Sequence, residues 1–149
     1  MLLYLMRHGE AESTFDSDES RNLTHQGQND VIEMTKLLRK EMVPEAIVAS
    51  PYIRAQQTAV LVGKGLGLQK ANRCWDELTP SGRPSVVLDK VSALSISNLL
   101  VVTHQPFISR LIEYLTGVET GMGTASVVAI QLEHCVQGCG EIQWLRHRL

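Results

Sequence analysis

The sequence predicts an α/β fold with a mainly parallel sheet, and three observations predict it. Short apolar runs alternate with segments of helical periodicity along most of the 149 residues. Three of the runs, at 2–6, 46–49 and 99–102, are apolar throughout, as strands covered on both faces are. Each run is followed at once by polar, chemically capable residues: Arg7-His8-Gly9-Glu10, Ser50-Pro51-Tyr52-Ile53-Arg54 and Thr103-His104-Gln105-Pro106. Ligands of open α/β sheets bind at the carboxyl ends of strands, so these three segments define the expected site.

The first strand is 2–6. A loop rich in Ser, Asp and Glu follows, and Thr24 then serves as N-cap of a helix reaching about residue 42. Val31, Met34, Leu37 and Leu38 give that helix one apolar face, and Pro44 ends it. The second strand is 46–49. Ser50 caps the next helix, with Pro51 at its first position, where a missing N–H costs nothing. Ile53, Gln57, Val60 and Leu61 continue it until Gly63, Gly65 and Gly67 stop it. Those glycines superficially resemble a phosphate loop, but they follow a helix rather than a strand, which makes them a C-terminal stop.

Residues 71–75 are expected as a short strand and 77–83 as a loop. Pro84 opens a helix to about residue 94, 98–103 is the third strong strand, and a helix runs from Pro106 to about residue 116. Residues 125–132 and 141–148 are expected as two strands joined by a Gly-rich turn, an antiparallel hairpin at or near a sheet edge. The expectation is one three-layer α/β/α domain spanning 1–149, with helices on both faces of the sheet.

Bulk properties narrow the function classes. A net charge of −2 argues against a nucleic-acid partner, which usually needs a basic face. No apolar stretch is long enough to span a membrane, and the first six residues are too short for a signal-peptide core. Three cysteines, Cys74, Cys135 and Cys139, rule out a full disulfide framework and fit free thiols in a reducing, cytoplasmic compartment. The spacing of His134, Cys135 and Cys139 fits no common zinc pattern, so neither a metal nor another cofactor is expected.

The chemistry at the strand ends is that of phosphate. His8 is the candidate nucleophile, because a neutral imidazole nitrogen can attack phosphorus and carry the phosphoryl group until water removes it. Arg7 and Arg54 are placed to grip phosphoryl oxygens, since the planar guanidinium fork matches phosphate geometry. Arg54 in the first turn of a helix also sets the phosphate near a helix N-terminus. Gly9 lets the backbone turn without a Cβ and leaves room for a ligand to approach.

With Leu23-Thr24-x-x-Gly27 and Ser50-Pro51-x-x-Arg54-Ala55-x-x-Thr58-Ala59 added to Arg7-His8-Gly9 and His104, the chain resembles the histidine phosphatase superfamily. Its length, Arg21-x-Leu23-Thr24 and Glu77-Leu78-Thr79-Pro80 make it similar to the small SixA-type phosphohistidine phosphatases. The resemblance implies that the second ring nitrogen of His8 is held by a hydrogen bond, for which a backbone carbonyl is the expected acceptor. It implies that His104 faces His8 across the phosphate and donates to an equatorial oxygen, and that Arg21 can reach the same group.

Some relatives place an acid immediately after the second histidine. Here that position is Gln105, which does no acid–base work. Glu77 is the best remaining general-acid candidate by position, and Glu10 the runner-up. A departing imidazole needs acid assistance far less than a sugar alkoxide does. Arg54 and His104 lie 50 positions apart, without the extra segments that close over small sugar phosphates in mutase relatives. The pocket is therefore expected to be open and shallow, suited to a phosphorylated side chain projecting from another protein. The expected substrate is phosphohistidine on a protein such as a histidine phosphotransfer domain. The alternatives are a small-molecule phosphomonoesterase or phosphoglycerate mutase-like enzyme, and a non-catalytic phosphate-binding module.

Overall fold

A computed structural model describes residues 1–13, 16–68 and 73–148. Its strands are β1 (Leu2–Arg7), β2 (Ala46–Ala49), β3 (Arg73–Cys74), β4 (Asn98–Thr103), β5 (Val127–Leu132) and β6 (Gly140–Arg146). They form one sheet in the order β3-β2-β4-β1-β5-β6. β1 pairs parallel with β4, β4 with β2 and β2 with β3, whereas β5 runs antiparallel to both β1 and β6. The parallel sheet and the C-terminal antiparallel hairpin at its edge are thus both present.

Among the described residues four α-helices cover the sheet: α1 (His25–Leu38), α2 (Ile53–Leu66), α3 (Pro84–Ser92) and α4 (Phe107–Thr116). Strand alternation decides which helices each side chain meets. Tyr4 and Met6 pack with Val31, Met34, Leu38, Ala55, Ala59 and Val62 of α1 and α2. Leu3 and Leu5 face the other way, onto Val87, Val91, Phe107, Ile108 and Leu111 of α3 and α4. The result is the expected three layers. Among the described residues no helix is long and apolar enough to cross a membrane.

Several boundaries differ from the sequence expectation, each for a local reason. α1 stops at Leu38, well before Pro44, and the chain closes in a turn where the Leu38 carbonyl accepts from both Glu41 and Met42 N–H, with Met42 buried beside Leu38. α2 begins at Ile53 rather than Pro51, since Tyr52 is extended and its N–H is bound by the Ser50 hydroxyl. Gly63 and Gly65 lie inside α2, and only Gly67, at φ 73°, ends it. A Cβ on Gly65 would lie 2.5 Å from Thr35 Cγ2, so that position serves the α1–α2 contact.

Of the strand expected at 71–75, Ala71 and Asn72 lie outside the described residues, and Trp75 follows β3 with its N–H on the Ala49 carbonyl. The loop expected from Glu77 begins inside a 3₁₀ turn, Asp76–Leu78. α3 ends at Ser92 instead of Leu94, and α4 starts at Phe107 with Pro106 as its cap. β5 starts at Val127 because Ala125 sits at φ 60°, and β6 spans Gly140–Arg146 rather than 141–148. Thr24 does cap α1: its Oγ1 accepts from Gly27 N–H at 2.9 Å.

Candidate active site

The three chemically rich strand ends meet, because β2, β4 and β1 are consecutive neighbours in the sheet. Hydrogen bonding continues one residue past β1 and β2: His8 N–H donates to the Thr103 carbonyl and Ser50 N–H to that of Val102, both at 3.1 Å. His8 and Ser50 are thereby fixed in register with the end of β4, which His104 follows. Behind His8, Ala125 N–H donates to the carbonyls of Arg7 (3.1 Å) and His8 (3.0 Å). Ala125 has to adopt a positive φ for this, a conformation that costs a non-glycine residue free energy.

His8 Nδ1 lies 2.7 Å from the carbonyl oxygen of Gly9, so Nδ1 carries the proton and donates. The acceptor is a backbone carbonyl, as expected. Nε2 is then the lone-pair nitrogen, and it accepts from Arg54 Nε at 3.2 Å. Burial lowers the His8 pKa to about 4; the Gly9 bond opposes the shift, and the charges of Arg54, Arg7 and Arg21 add to it. His8 is neutral across the physiological range. A lone pair on a neutral imidazole beside guanidiniums can attack the phosphorus of an anion those guanidiniums hold.

Arg54 is almost wholly buried, and its guanidinium meets the 3₁₀ turn Asp18–Ser20. Nη1 donates to the Asp18 carbonyl at 2.6 Å and Nη2 to Asp18 Oδ2 at 3.3 Å. The other carboxylate oxygen of Asp18 accepts from Arg21 Nη1 at 3.2 Å, and Arg21 Nε is anchored on the Glu12 carbonyl at 2.7 Å. Partial burial opposes ionisation of Asp18, but the hydrogen bonds and charges of Arg21 and Arg54 outweigh it and hold the carboxyl below its ordinary range. One carboxylate thus bridges two arginines, which is how a phosphoryl group would engage them. The Tyr52 ring packs against both the Arg54 guanidinium, at 5.2 Å, and the His104 ring, at 5.0 Å.

The His104 ring lies 5.1 Å from that of His8, centroid to centroid. Its Nε2 is 2.6 Å from Ser50 Oγ. Burial lowers its pKa to about 2, with His8, Arg54, Arg7 and Arg21 adding to the shift. Arg7 spends Nη1 on the Met122 carbonyl at 2.9 Å, which also accepts from Gln105 Nε2 at 3.3 Å. Two buried side-chain nitrogens among the described residues make no hydrogen bond within the protein: Arg7 Nε and His104 Nδ1. Both belong to this cluster. An unpartnered guanidinium N–H beside an unpartnered imidazole nitrogen fits an oxyanion.

Other expectations need correction. The room left by Gly9 is taken up by the protein, since a Cβ there would lie 2.8 Å from the Gly27 carbonyl and 2.9 Å from Val31 Cγ2. Gly27 answers it: its Cβ would fall 2.1 Å from the Glu10 carbonyl, so the two glycines let α1 close on the loop after β1. The cluster is also more enclosed than an open, shallow pocket: His8 is 6% exposed, Arg54 3% and His104 0%. Asp18, which sequence reasoning passed over, provides part of that cover.

Glu77 stands apart from the cluster, with its carboxylate 3.0 Å from Lys90 Nζ. A hydrogen bond from its own N–H, then that from Lys90, lowers its pKa, the opposite of what a general acid needs. Glu10 Oε1 accepts from Thr24 Oγ1 at 2.9 Å, at the cap of α1. Thr58, noted in the sequence only as part of a motif, receives Gly9 N–H on its Oγ1 at 3.1 Å. Its own hydroxyl donates to the Arg54 carbonyl at 2.8 Å, so it ties α2 to the residue after His8.

The family model for the histidine phosphatase superfamily (branch 1) matches residues 3–79. The phosphohistidine phosphatase SixA of Escherichia coli (strain K12) is 31% identical over 150 aligned positions, covering 97% of this chain and 92% of that protein. The phosphohistidine phosphatase SixA homolog of Haemophilus influenzae is 30% identical over 128 residues, 78% of each chain. A solved structure of the protein histidine phosphatase SixA complexed with tungstate matches with a TM-score of 0.92 at 29% identity, covering 99% of this chain and 97% of that one.

Proposed function

The chain belongs to the histidine phosphatase superfamily and is a phosphatase of its SixA type; from that premise we propose that it hydrolyses phosphohistidine on a protein, such as a histidine phosphotransfer domain, through a phosphoryl intermediate on His8. The observation that carries this reading is the hold of the Gly9 carbonyl on Nδ1, which leaves the His8 Nε2 lone pair among guanidiniums. Tungstate bound to a protein of the same fold supports an oxyanion at such a cluster.

In the first step the Nε2 lone pair forms a bond to phosphorus as the substrate's P–N bond breaks. The electron pair of that bond returns to the substrate ring. With a proton on its other nitrogen, the substrate ring leaves as neutral imidazole, and His8 becomes the phosphorylated ring with its proton still on Nδ1. Nucleophile and leaving group are the same chemical group, so the exchange needs neither a proton transfer nor a strong acid. In the second step water attacks phosphorus, the Nε2–P bond breaks, and dihydrogen phosphate leaves carrying both water protons. Arg7, Arg54 and Arg21 hold the phosphoryl oxygens, His104 donates to one of them, and the anion takes over from Asp18 on Arg54.

The acids support that substrate class. Asp18 is held ionised by arginines, Glu77 is paired with Lys90 and Glu10 is bound at the α1 cap, so among the described residues the cluster holds no carboxylic acid fit to protonate an alkoxide. A P–N bond to imidazole does not require one. The test is a panel comparing a phosphohistidine-bearing phosphotransfer protein, a phosphoserine peptide and phosphoglycerate. The phosphohistidine protein is expected to be turned over fastest; fastest turnover of phosphoglycerate would overturn the assignment.

A further inference from the structure

We propose that Ser50 is a positioning residue that sets the tautomer of His104, donating its hydroxyl proton to Nε2 so that the ring presents Nδ1–H to the phosphoryl group. The proposal rests on the reading of His104 as a phosphoryl-oxygen donor and supplies what that reading leaves open, namely which ring nitrogen carries the proton. The argument is an inventory of hydrogens around one buried oxygen. Ser50 is fully buried, and among the described residues its Oγ has two hydrogen-bonding neighbours: it accepts from Tyr52 N–H at 3.2 Å and lies 2.6 Å from His104 Nε2. A hydroxyl has one proton to give and two lone pairs.

If His104 donated from Nε2, Oγ would accept twice, its own proton would have no acceptor, and His104 Nδ1 would be a buried acceptor with no donor. If Ser50 donates, the hydroxyl proton is used, Nε2 is satisfied, and the single proton of the neutral ring lies on Nδ1. That nitrogen is the one in His104 with no partner among the described residues. The first arrangement strands two buried groups and would turn a lone pair toward an anion. The second strands none once a phosphoryl oxygen arrives.

Ser50 is itself held from three other directions, so its hydroxyl has little freedom to reorient. Its N–H donates to the Val102 carbonyl, its carbonyl accepts from Gln56 Nε2 at 2.6 Å, and its Oγ is fixed by the Tyr52 N–H. A serine directly after β2 therefore reads out as a proton position on a residue after β4, 54 positions along the chain.

Two-dimensional NMR of the imidazole nitrogens in the full-length protein tests this directly. The wild-type protein is expected to show His104 with a protonated Nδ1 and an unprotonated Nε2; a proton on Nε2 overturns the proposal. Ser50→Ala is expected to populate the Nε2–H form and to weaken tungstate binding roughly tenfold, whereas Ser50→Thr keeps the Nδ1–H form and most of the binding. An unchanged tautomer in Ser50→Ala also overturns it. An Nε2–H ring in a wild-type protein that turns over phosphohistidine sinks this inference alone. An Nδ1–H ring in a protein with no such turnover leaves it standing and sinks the functional reading instead.

Discussion

His8 and His104 follow neighbouring strands and lie 5.1 Å apart, yet they turn opposite nitrogens to the site. His8 is anchored by the next peptide group in its own chain: Nδ1 donates to Gly9, and Nε2 offers a lone pair. His104 is anchored by a side chain from another strand end, with Nε2 on Ser50 and Nδ1 left over. We read one as the electron-pair donor and the other as the proton donor. The same ring becomes nucleophile or electrophilic stabiliser according to which nitrogen is tied back.

The largest expected effect tests that division of labour. Replacing a nucleophile removes the covalent route, whereas replacing a stabilising donor weakens it. His8→Ala should cost about 10⁴-fold or more in kcat on a phosphohistidine protein, and His104→Ala about 10²–10³-fold. Single-turnover kinetics with radiolabelled substrate should trap label on the enzyme in His104→Ala and none in His8→Ala. Equal losses, or label retained in His8→Ala, would break the comparison.

Acid should separate the two rings next. His8 titrates near 4 and His104 near 2, both below the ordinary histidine value, chiefly because burial penalises the charged ring. Folding therefore favours the neutral forms. Their contribution to stability is fully present above about pH 6.5, declines as pH falls toward about 4 for His8, and continues to decline toward about 2 for His104. Urea denaturation should show stability falling through that window, and kcat/KM should lose roughly tenfold per unit below about pH 4 as His8 protonates. A wild-type acid limb centred near 6.5 would mean that His8 lies in water rather than in the cluster.

Asp18 offers a gentler test, because on the proposed reading the phosphoryl group displaces it from Arg54 and it takes no part in the reaction. Its carboxylate occupies Arg54 and Arg21 on a side chain 48% exposed, so the cost of displacing it is modest. Asp18→Asn should tighten inhibition by inorganic phosphate several-fold, and kcat should change little unless product release limits it. Weaker phosphate binding in that variant would show Asp18 to be a support for the arginines rather than a stand-in for the ligand.

How much of this was legible beforehand follows from the range of the interactions involved. Strands, layers and the meeting of Arg7, His8, Arg54 and His104 were readable, because apolar runs and the residues after them are local patterns. The Thr24 cap was readable for the same reason. Asp18 was not, since a carboxylate in an acidic loop carries no mark of the arginine it will meet 36 positions away. The sequence marks Ser50 as a helix cap and a motif residue, and its partner across the sheet is visible only once β2 and β4 are paired. After a strand end Gly9 suggests ligand access, but its neighbour is Gly27 on a helix that packs from the far side of the loop. The boundary at Ile53 turns on Tyr52 N–H being bound by a side chain, the Ser50 hydroxyl, and that before Val127 on the positive φ of Ala125, neither of which is a local sequence pattern.

The smallest expected effect bears on the acid that was sought in the sequence. Both histidines lie where burial and cationic neighbours disfavour protonation, whereas Glu77 lies outside, on Lys90, with its ionised form favoured. If imidazole leaves without acid assistance, Glu77→Gln should alter kcat on a phosphohistidine protein by less than about twofold, within the range of a lost surface ion pair. The same substitution tested on a phosphoserine peptide separates two accounts. An unchanged low rate fits a cluster with no acid at all. A selective fall of about 10²-fold on the peptide alone would place the Glu77 proton on the leaving oxygen of alcohol substrates, and the preference for P–N bonds would then rest on binding rather than on leaving-group chemistry.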